Sequence, residues 1–266
     1  MAYQLIREYS QSAIDDFRSL KGRGGHFKKG LFIAEGEKVV QKVLESKLDI
    51  ASAYMTEEHF KNLQNLFENR SDKTDIFLAS KVEMEEIIGY HLHQGVMLAV
   101  RIPKNRELSE VVAEWKSPWT AIALDGIADA ENMGAIIRNA AAFGAKAVIV
   151  DEKSCNPYLR RSVRVSMGMI VDVEIIFAED LTIALQNIGS ISPVRLIGAA
   201  LSAESIHLAQ ISAEGNTILV FGSEGWGLRK EVAAACEVLA RIPMAEGIDS
   251  LNVAVASGIF MHWLRK

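Results

Sequence analysis

The residues best suited to chemistry in this 266-residue chain stand in three short segments, each directly after an apolar run typical of a strand. In the first segment, Asn132 and Arg138 lie on a predicted helix that is otherwise apolar, and Asn132 is placed to cap it. Such an arginine can orient a phosphate or stabilise developing negative charge. The alternative is that Asn132 is only a cap and Arg138 only a surface cation. The segment lacks the glycine spacing of a dinucleotide site.

The second segment has three glycines within six residues, at 222, 225 and 227. This spacing is typical of backbone that approaches a ligand closely and, equally, of a tight turn from strand to helix. The carboxylate of Glu224 would repel a phosphate, so the segment favours a cationic or neutral ligand.

The third segment, residues 241–256, follows the last predicted strand. Ser250 is placed to cap the final helix, and Asn252 is an isolated polar residue in the first turn. Leu251, Val255 and Ile259 repeat every four residues, which predicts that they form the face buried in the core.

Two groups of predicted strands and helices must position these segments. Strands are predicted at 31–34, 50–54, 75–79 and 95–100, with helices at 57–69 and 80–89 and around Val39–Leu44. After a short helix at 108–115, strands at 119–124, 147–150, 173–176, 194–198, 217–221 and 238–242 alternate with helices at 132–143, 179–188 and 250–264. This alternation predicts an α/β fold with a mostly parallel sheet, whose ligands bind where strands end. We expect domains at 1–101 and 118–266, joined by a linker at 102–117.

The net charge of −5 argues against a general polyanion binder, although cations cluster in two places. These are candidate RNA contacts or plain solvated faces: Arg18, Lys21, Arg23, Lys28 and Lys29, and then Arg160, Arg161 and Arg164. No signal-peptide pattern or long apolar run is present, and the two cysteines are far apart, which favours a cytoplasmic protein with free thiols. The pair His91 and His93 is a weak metal candidate, so we expect no metal.

The three segments together resemble the motifs of the SpoU/TrmH family in the SPOUT superfamily. The matches are Asn132-x-Gly134-x-x-x-Arg138, Gly222-x-Glu224-x-x-Gly227-Leu228, and Ile242-Pro243-Met244 followed by Ser250-Leu251-Asn252-Val253. Ala254 departs from the pattern, since many members carry a small hydroxyl residue there. Residues 32–36 and 93–96 look more loosely like the family's N-terminal substrate-binding domain, which is similar to a ribosomal-protein RNA-binding fold.

The resemblance implies a C-terminal trefoil-knotted methyltransferase domain that transfers a methyl group from S-adenosylmethionine to a ribose 2′-hydroxyl of structured RNA. Ribosomal RNA is favoured over transfer RNA, and a homodimer is implied. The catalytic set it implies is Arg138, Asn132, Glu224, Ser250 and Asn252. The cofactor-binding set is Gly222, Ile242, Leu251, Met244 and Ala199. The two basic clusters would contact RNA.

Three other functions remain to be weighed against this one. A non-catalytic RNA-binding protein on the same fold would show erosion at the motif positions, and these are intact. A nucleotide-dependent oxidoreductase would need the glycine fingerprint that is absent after the first strand. A SPOUT enzyme that modifies a base is disfavoured by the arginine of the first motif, by analogy alone.

Overall fold

The computed structural model describes residues 3–18, 27–212, 214–248 and 250–265. The strands are β1 (Tyr3–Ile6), β2 (Leu31–Glu35), β3 (Ile50–Met55), β4 (Thr74–Leu78), β5 (Val96–Arg101), β6 (Thr120–Asp125), β7 (Ala147–Asp151), β8 (Glu174–Ala178), β9 (Arg195–Ala199), β10 (Ile206–His207), β11 (Thr217–Gly222) and β12 (Val238–Arg241). The α-helices are α1 (Glu37–Leu44), α2 (Glu57–Glu68), α3 (Lys81–Ile88), α4 (Leu108–Ala113), α5 (Ala130–Phe143), α6 (Arg160–Val165), α7 (Leu181–Ile188), α8 (Lys230–Ala235) and α9 (Val253–Leu264). Short 3₁₀ turns join some of them.

The chain forms two compact units. One extends to Pro103 and also includes Tyr158–Val171, while the other comprises Lys104–Pro157 and the chain from Asp172 onward. The segment with α6 therefore belongs to the first unit, whereas the boundaries expected from the sequence place it in the second domain. Its contacts give the reason, because the ring of Tyr158 lies 5.1 Å from the ring of Phe32 on β2.

The first unit is built on a five-stranded sheet in the order β1-β4-β3-β5-β2. β1, β4 and β3 are parallel, whereas β5 runs antiparallel to both β3 and β2. The apolar residues of α1 are buried at helical spacing, as the sequence predicts. Ser80 and Glu83 form a capping box at the start of α3, which fixes where this helix begins.

The second unit contains a seven-stranded sheet in the order β10-β12-β9-β11-β6-β7-β8. Every pairing in it is parallel. The central strands β11, β6 and β7 are buried almost throughout, which is why they read as continuous apolar runs. The predicted α/β fold with a mostly parallel sheet is confirmed. The threading of the chain through a knot stays a prediction.

Both helix caps expected in the motifs are wrong. Asp129 caps α5, because its carboxylate accepts the backbone N–H of Glu131 at 2.8 Å and of Asn132 at 2.9 Å. Asn252, rather than Ser250, caps α9. Asn132 therefore lies inside the first turn, where its side chain is available for other contacts.

The face of α9 that the sequence assigned to the core is exposed, so this prediction is wrong. The side chains of Leu251, Val255 and Ile259 are 38%, 52% and 38% exposed. The buried face of α9 instead carries Val253, Ala254, Ser257, Phe260, Met261 and Leu264. Because α9 is apolar on nearly all sides, its periodicity could not single out one face.

Four short elements were not expected from the sequence: β1, β10, α6 and α8. Each has six residues or fewer, too few for a clear period. Among the described residues, no helix is long and apolar enough to cross a membrane.

Candidate functional site

The three motifs meet at one edge of the parallel sheet. The first follows β6, the second follows β11 and the third follows β12. β6 and β11 are direct neighbours in register, from Thr120 opposite Thr217 to Asp125 opposite Gly222. Because the strands are parallel, their carboxyl ends lie on the same side, as expected for a site in such a sheet.

Three polar side chains, one from each motif, form a closed hydrogen-bonded network. Asn132 Nδ2 donates to Glu224 Oε1 at 2.7 Å. Asn252 Nδ2 donates both to Glu224 Oε1 and to Asn132 Oδ1, each at 2.9 Å. The Oδ1 atom of Asn252 accepts the backbone N–H groups of Ala254 and Val255, which fixes the direction of its amide. The network therefore links the start of α9 to both of the other loops, and these three predicted residues do come together.

Beside this network lies a cavity of about 410 Å³. Small-molecule sites usually have volumes of about 300–1,000 Å³, with mainly apolar walls and a few fixed polar groups. The apolar rings of Phe221 and Phe260 line it and pack edge to face at 5.5 Å. The polar side chains that line it are Ser223, Glu224, Arg241, Ser250 and Asn252. All five predicted cofactor-binding residues line the same cavity: Ala199, Gly222, Ile242, Met244 and Leu251.

Gly222 occupies a position that admits no side chain. A Cβ atom there would lie 2.2 Å from the carbonyl carbon of Gly227, and this obstacle is backbone that cannot rotate away. The loop folds back because Ser223 and Gly227 exchange two backbone hydrogen bonds of 3.1 and 2.9 Å. Gly227 itself has a φ of +67°, which favours glycine. Of the two readings left open for this segment, the glycines do build a tight turn, and that turn forms part of the cavity wall.

An ion-pair network behind the motif loops was missed by the sequence reasoning. The buried carboxylate of Asp125 accepts the backbone N–H of Arg229 at 2.7 Å and its Nε–H at 2.5 Å. The guanidinium of Arg229 also lies 3.2 Å from the buried Asp151. Burial by itself lowers the pKa of Arg229, but the hydrogen bond and charge of Asp125, with the charge of Asp151, raise it above its usual value. The arginine therefore remains charged between two carboxylates.

Asp151 extends this network into the first-motif loop. Its Oδ1 accepts the backbone N–H of Gly126 at 3.0 Å and the hydroxyl of Ser154 at 2.6 Å. Ser154 in turn accepts the backbone N–H of Ile127 at 2.8 Å. The signal available in the sequence was an acidic residue at the end of an apolar strand, seen at both Asp125 and Asp151, since a buried carboxylate requires partners.

Arg138 stands apart from the cavity of its own chain. It lies on an exposed side of α5, and it is not among the described residues that line the cavity. The next residue, Asn139, packs α5 onto α9 by donating to the carbonyl oxygen of Ala254 at 2.8 Å and to Ser257 Oγ at 3.0 Å. Arg138 is thus held on a helix whose position relative to α9 is fixed.

The described members of the two predicted basic clusters fall in the first unit. Arg18 is ion-paired with Asp15 at 3.0 Å, and Lys29 with Asp16 at 2.5 Å. Lys21 and Arg23 lie outside the described residues, as does the side chain of Lys28. In the second cluster, Arg161 and Arg164 are exposed.

Arg160 is engaged inside the first unit. Its guanidinium lies 3.2 Å from the buried carboxylate of Glu35, as an ion pair without hydrogen-bond geometry, and 4.1 Å above the ring of Tyr90. Burial lowers the pKa of Arg160. An RNA phosphate would have to compete with Glu35 for this side chain, so its assignment as an RNA contact stays a prediction.

His91, one of the two residues of the weak metal-site candidate, contacts a carboxylate. Its Nδ1 lies 3.0 Å from Glu85 Oε2. Within the described ranges, no group of three or more histidine, cysteine, aspartate or glutamate side chains is arranged to hold a metal ion.

Comparison with known proteins gives two family matches. Residues 120–262 match the model of the SpoU rRNA Methylase family, and residues 33–106 match the model for RNA 2'-O ribose methyltransferase substrate binding. An uncharacterised tRNA/rRNA methyltransferase of Mycobacterium bovis is 34% identical over 94% of this chain and 87% of the relative. The 23S rRNA (guanosine-2'-O-)-methyltransferase RlmB of Acinetobacter baylyi is 31% identical over 69% of this chain and 75% of the relative.

The fold agrees with these matches. The crystal structure of an rRNA methyltransferase from Sinorhizobium meliloti superimposes with a TM-score of 0.83 at 26% identity, covering 100% of this chain and 98% of the other. The AdoMet-bound structure of an rRNA methyltransferase from the same organism gives a TM-score of 0.80 over the same shares. With three motifs converging on one cavity, and with the family model matching more than half of its length, this chain belongs to the SpoU rRNA methylase family.

Proposed function

We propose that this protein transfers a methyl group from S-adenosylmethionine to a ribose 2′-hydroxyl of structured ribosomal RNA. The observation that carries the proposal is the convergence of Asn132, Glu224 and Asn252 beside a cavity lined by the predicted cofactor residues. A relative named as a 23S rRNA guanosine-2′-O-methyltransferase supports the reaction and the class of RNA. The intact motif residues disfavour the non-catalytic alternative.

The cavity fits S-adenosylmethionine in shape and in charge. The cavity volume of about 410 Å³ suits a ligand of this size, and Gly222 lets the turn fold back tightly to form part of the cavity wall. The apolar walls suit the adenine ring and the thioether carbons, while Glu224 places a carboxylate near a ligand that carries a sulfonium cation. Gly222, Ile242 and Leu251 would hold the cofactor, with Ala199 and Met244 completing the wall. When bound, the cofactor supplies an electrophilic methyl group whose leaving group is a neutral thioether.

The chain's own residues must align the ribose and stabilise charge on its oxygen. We assign Arg138 to the reacting 2′-oxygen. A guanidinium donates hydrogen bonds and accepts none, so we assign it to orient the adjacent phosphate and to stabilise the negative charge that develops as the hydroxyl proton passes to solvent water. The network of Asn132, Glu224 and Asn252, together with Ser250, would hold the loops in the geometry required for in-line attack.

We further propose that two copies of the chain form the active enzyme. Leu251, Val255 and Ile259 expose an apolar strip along α9, and exposed apolar strips of this kind are typical of association surfaces. Arg138 lies on α5, which packs on α9, yet it does not line its own cavity. Packing two copies through this face would offer each cavity an arginine from its partner.

The first unit is proposed to bind the RNA. Its family model describes substrate binding, and the described residues of both basic clusters belong to it. Arg18, Lys29, Arg161 and Arg164 are the proposed phosphate contacts among the described residues, with Lys21, Arg23 and Lys28 added from the sequence. We also propose a cytoplasmic location, in keeping with the proposed ribosomal RNA substrate.

A methyl-transfer assay tests the function. The protein is incubated with isotopically labelled S-adenosylmethionine and separate pools of unmodified ribosomal and transfer RNA, and the nucleosides are then analysed by mass spectrometry. We expect a 2′-O-methylated nucleoside from the ribosomal pool. Arg138→Ala should abolish transfer while cofactor affinity, measured by calorimetry, stays within about twofold. Substantial transfer by this variant would disprove the role of Arg138.

The same assay separates the alternatives. Transfer to transfer RNA alone would replace the proposed substrate class. Methylation of a base atom would refute the ribose assignment. No transfer together with no cofactor binding would favour a non-catalytic RNA-binding protein.

A further inference from the structure

Trp226, at the tip of the second-motif turn, is exposed to an unusual degree. Its side chain is 94% accessible to solvent, so both faces of the indole ring are open. Tryptophan is usually highly buried, because its ring gains more from leaving water than most side chains do. An aromatic ring left in water on a surface loop therefore indicates a use outside the folding of this unit.

The other three tryptophans of the chain have evident structural roles. Trp115 and Trp119 pack edge to face with their ring centres 4.9 Å apart. Trp263 donates its Nε1–H to the carbonyl oxygen of Ile211 at 3.2 Å. Trp226 differs from all three, since its described contact is the backbone N–H bond to Ser223 Oγ at 3.2 Å, which leaves the ring itself unused.

The turn places Trp226 beside the cavity. Ser223 and Gly227 close it with two backbone hydrogen bonds, and Trp226 is one of the residues that line the mouth of the cavity. A Cβ atom added at the neighbouring Gly225 would meet nothing within 4 Å, so this part of the turn is open to solvent. The ring therefore stands on a hydrogen-bonded turn where a substrate that reaches the cavity can contact it.

The chemical groups near Trp226 indicate which part of an RNA its ring would contact. A ribose can approach the cavity only if its nucleotide leaves the regular base stack. The unstacked base then loses its stacking contacts with the neighbouring bases, and an aromatic side chain can replace them. The carboxylate of Glu224, two residues away, would repel a phosphate. The uncharged face of a base is therefore the better match for this position.

We propose that Trp226 stacks on an unstacked RNA base, either that of the target nucleotide or that of its neighbour, and so positions the ribose at the cavity. This inference rests on the proposed function and adds a substrate-positioning residue to it. Stacking does not depend on base identity, so Trp226 contributes affinity and alignment without choosing the sequence.

Kinetics with unmodified large-subunit ribosomal RNA test the proposal. Trp226→Ala should raise KM for RNA about tenfold, which corresponds to ~1.4 kcal/mol and is typical of one stacked base. Cofactor affinity should stay within about twofold. Trp226→Phe, which keeps an aromatic face, should recover most of the loss. The matched control is Ile183→Ala, which removes another exposed apolar side chain, 54% accessible, and should behave as wild type.

Two results would overturn the proposal. If Trp226→Ala weakens cofactor binding and leaves KM for RNA unchanged, the ring covers the cofactor instead. If the variant changes the molar mass measured by light scattering, the ring belongs to a contact between copies of the chain.

A binding measurement keeps this inference separate from the reaction. Tryptophan fluorescence is followed during titration with a poly(A) oligonucleotide and with an abasic oligomer of equal length. Quenching by poly(A) alone, lost in Trp226→Phe, supports stacking even if the wild-type protein methylates neither RNA pool and the proposed function fails. Equal quenching by both oligomers, or none, refutes stacking.

Discussion

Asn252 has two separable tasks, and replacing it in two ways should separate them. Its Oδ1 caps α9, and its Nδ2 donates to Asn132 and Glu224. In Asn252→Ser, the hydroxyl can still cap the helix but is too short to reach the other two side chains at the same time. In Asn252→Ala, both tasks are lost.

The structure sets the expected magnitudes. Loss of an N-cap costs about 1 kcal/mol of unfolding free energy, which lowers Tm by about 2–4 °C in a unit of this size. Hydrogen bonds to a charged acceptor contribute about 1.5–3 kcal/mol, and exposure of Asn252 and Glu224 to water places this pair at the low end. We therefore expect both variants to lose kcat/KM about tenfold, and Asn252→Ala to melt about 2–4 °C below Asn252→Ser because it also loses the cap.

Asp180 provides a matched control, because it caps α7 in the same unit by accepting the N–H of Ile183 at 3.0 Å. Asp180→Ala should lower Tm by about the difference between Asn252→Ser and Asn252→Ala, with kcat/KM unchanged. Melting curves and initial rates on the four proteins give the complete comparison. Wild-type kcat/KM in Asn252→Ser would refute the idea that the network aligns the site. Equal Tm values for the serine and alanine variants would refute the cap.

Further predictions concern charge and titration. Arg229→Ala removes the cationic partner of two buried carboxylates and should cost about 3–5 kcal/mol in urea unfolding; a loss below about 1 kcal/mol would contradict the role of this ion pair. In the first unit, the guanidinium of Arg70 donates to both carboxylate oxygens of Asp72 at 2.7 Å, and this hydrogen bonding lowers the pKa of Asp72. The carboxylate therefore stabilises the fold above its ordinary pKa of 3.8, and the contribution is lost as the pH falls through the folded value. Wild type should accordingly lose more unfolding free energy than Asp72→Asn between about pH 5 and pH 2.5, and equal losses would contradict this. Burial raises the pKa of Cys155 and Cys236 to about 11, so both thiols should resist iodoacetamide at pH 7.5 until urea is added, and fast alkylation of the native protein would show otherwise.

The sequence predicted the parts of the fold in which local pattern and burial agree. The strands β6, β7 and β11 are buried on both faces, so their apolar runs stand out. The motif residues at 132, 224 and 252 could be grouped because parallel strands place their carboxyl ends together. Family resemblance supplied the cofactor residues, which composition alone could not identify.

The parts that could not be predicted depend on long-range contacts. Asp129 and Asn132 both suit a helix cap, and only the position of Glu224 shows why the amide is needed elsewhere. The pairing of Arg229 with Asp125 joins distant segments and has no local signature. The exposed position of Leu251, Val255 and Ile259 could not be predicted either, because α9 is apolar on nearly all sides and its periodicity does not single out the buried face.

The strand order of the second unit has a consequence for how the protein is made. β7 and β8 can join β6 as soon as they are synthesised, but the other side of β6 is completed by β11, which comes from a much later part of the chain. Until then β6 presents an open hydrogen-bonding edge to the cell. Pairing across such a distance in sequence slows folding, so the growing chain passes through a stage in which aggregation competes with completion of the sheet. Because the second motif directly follows β11, the reactive site can form only after that edge has been closed.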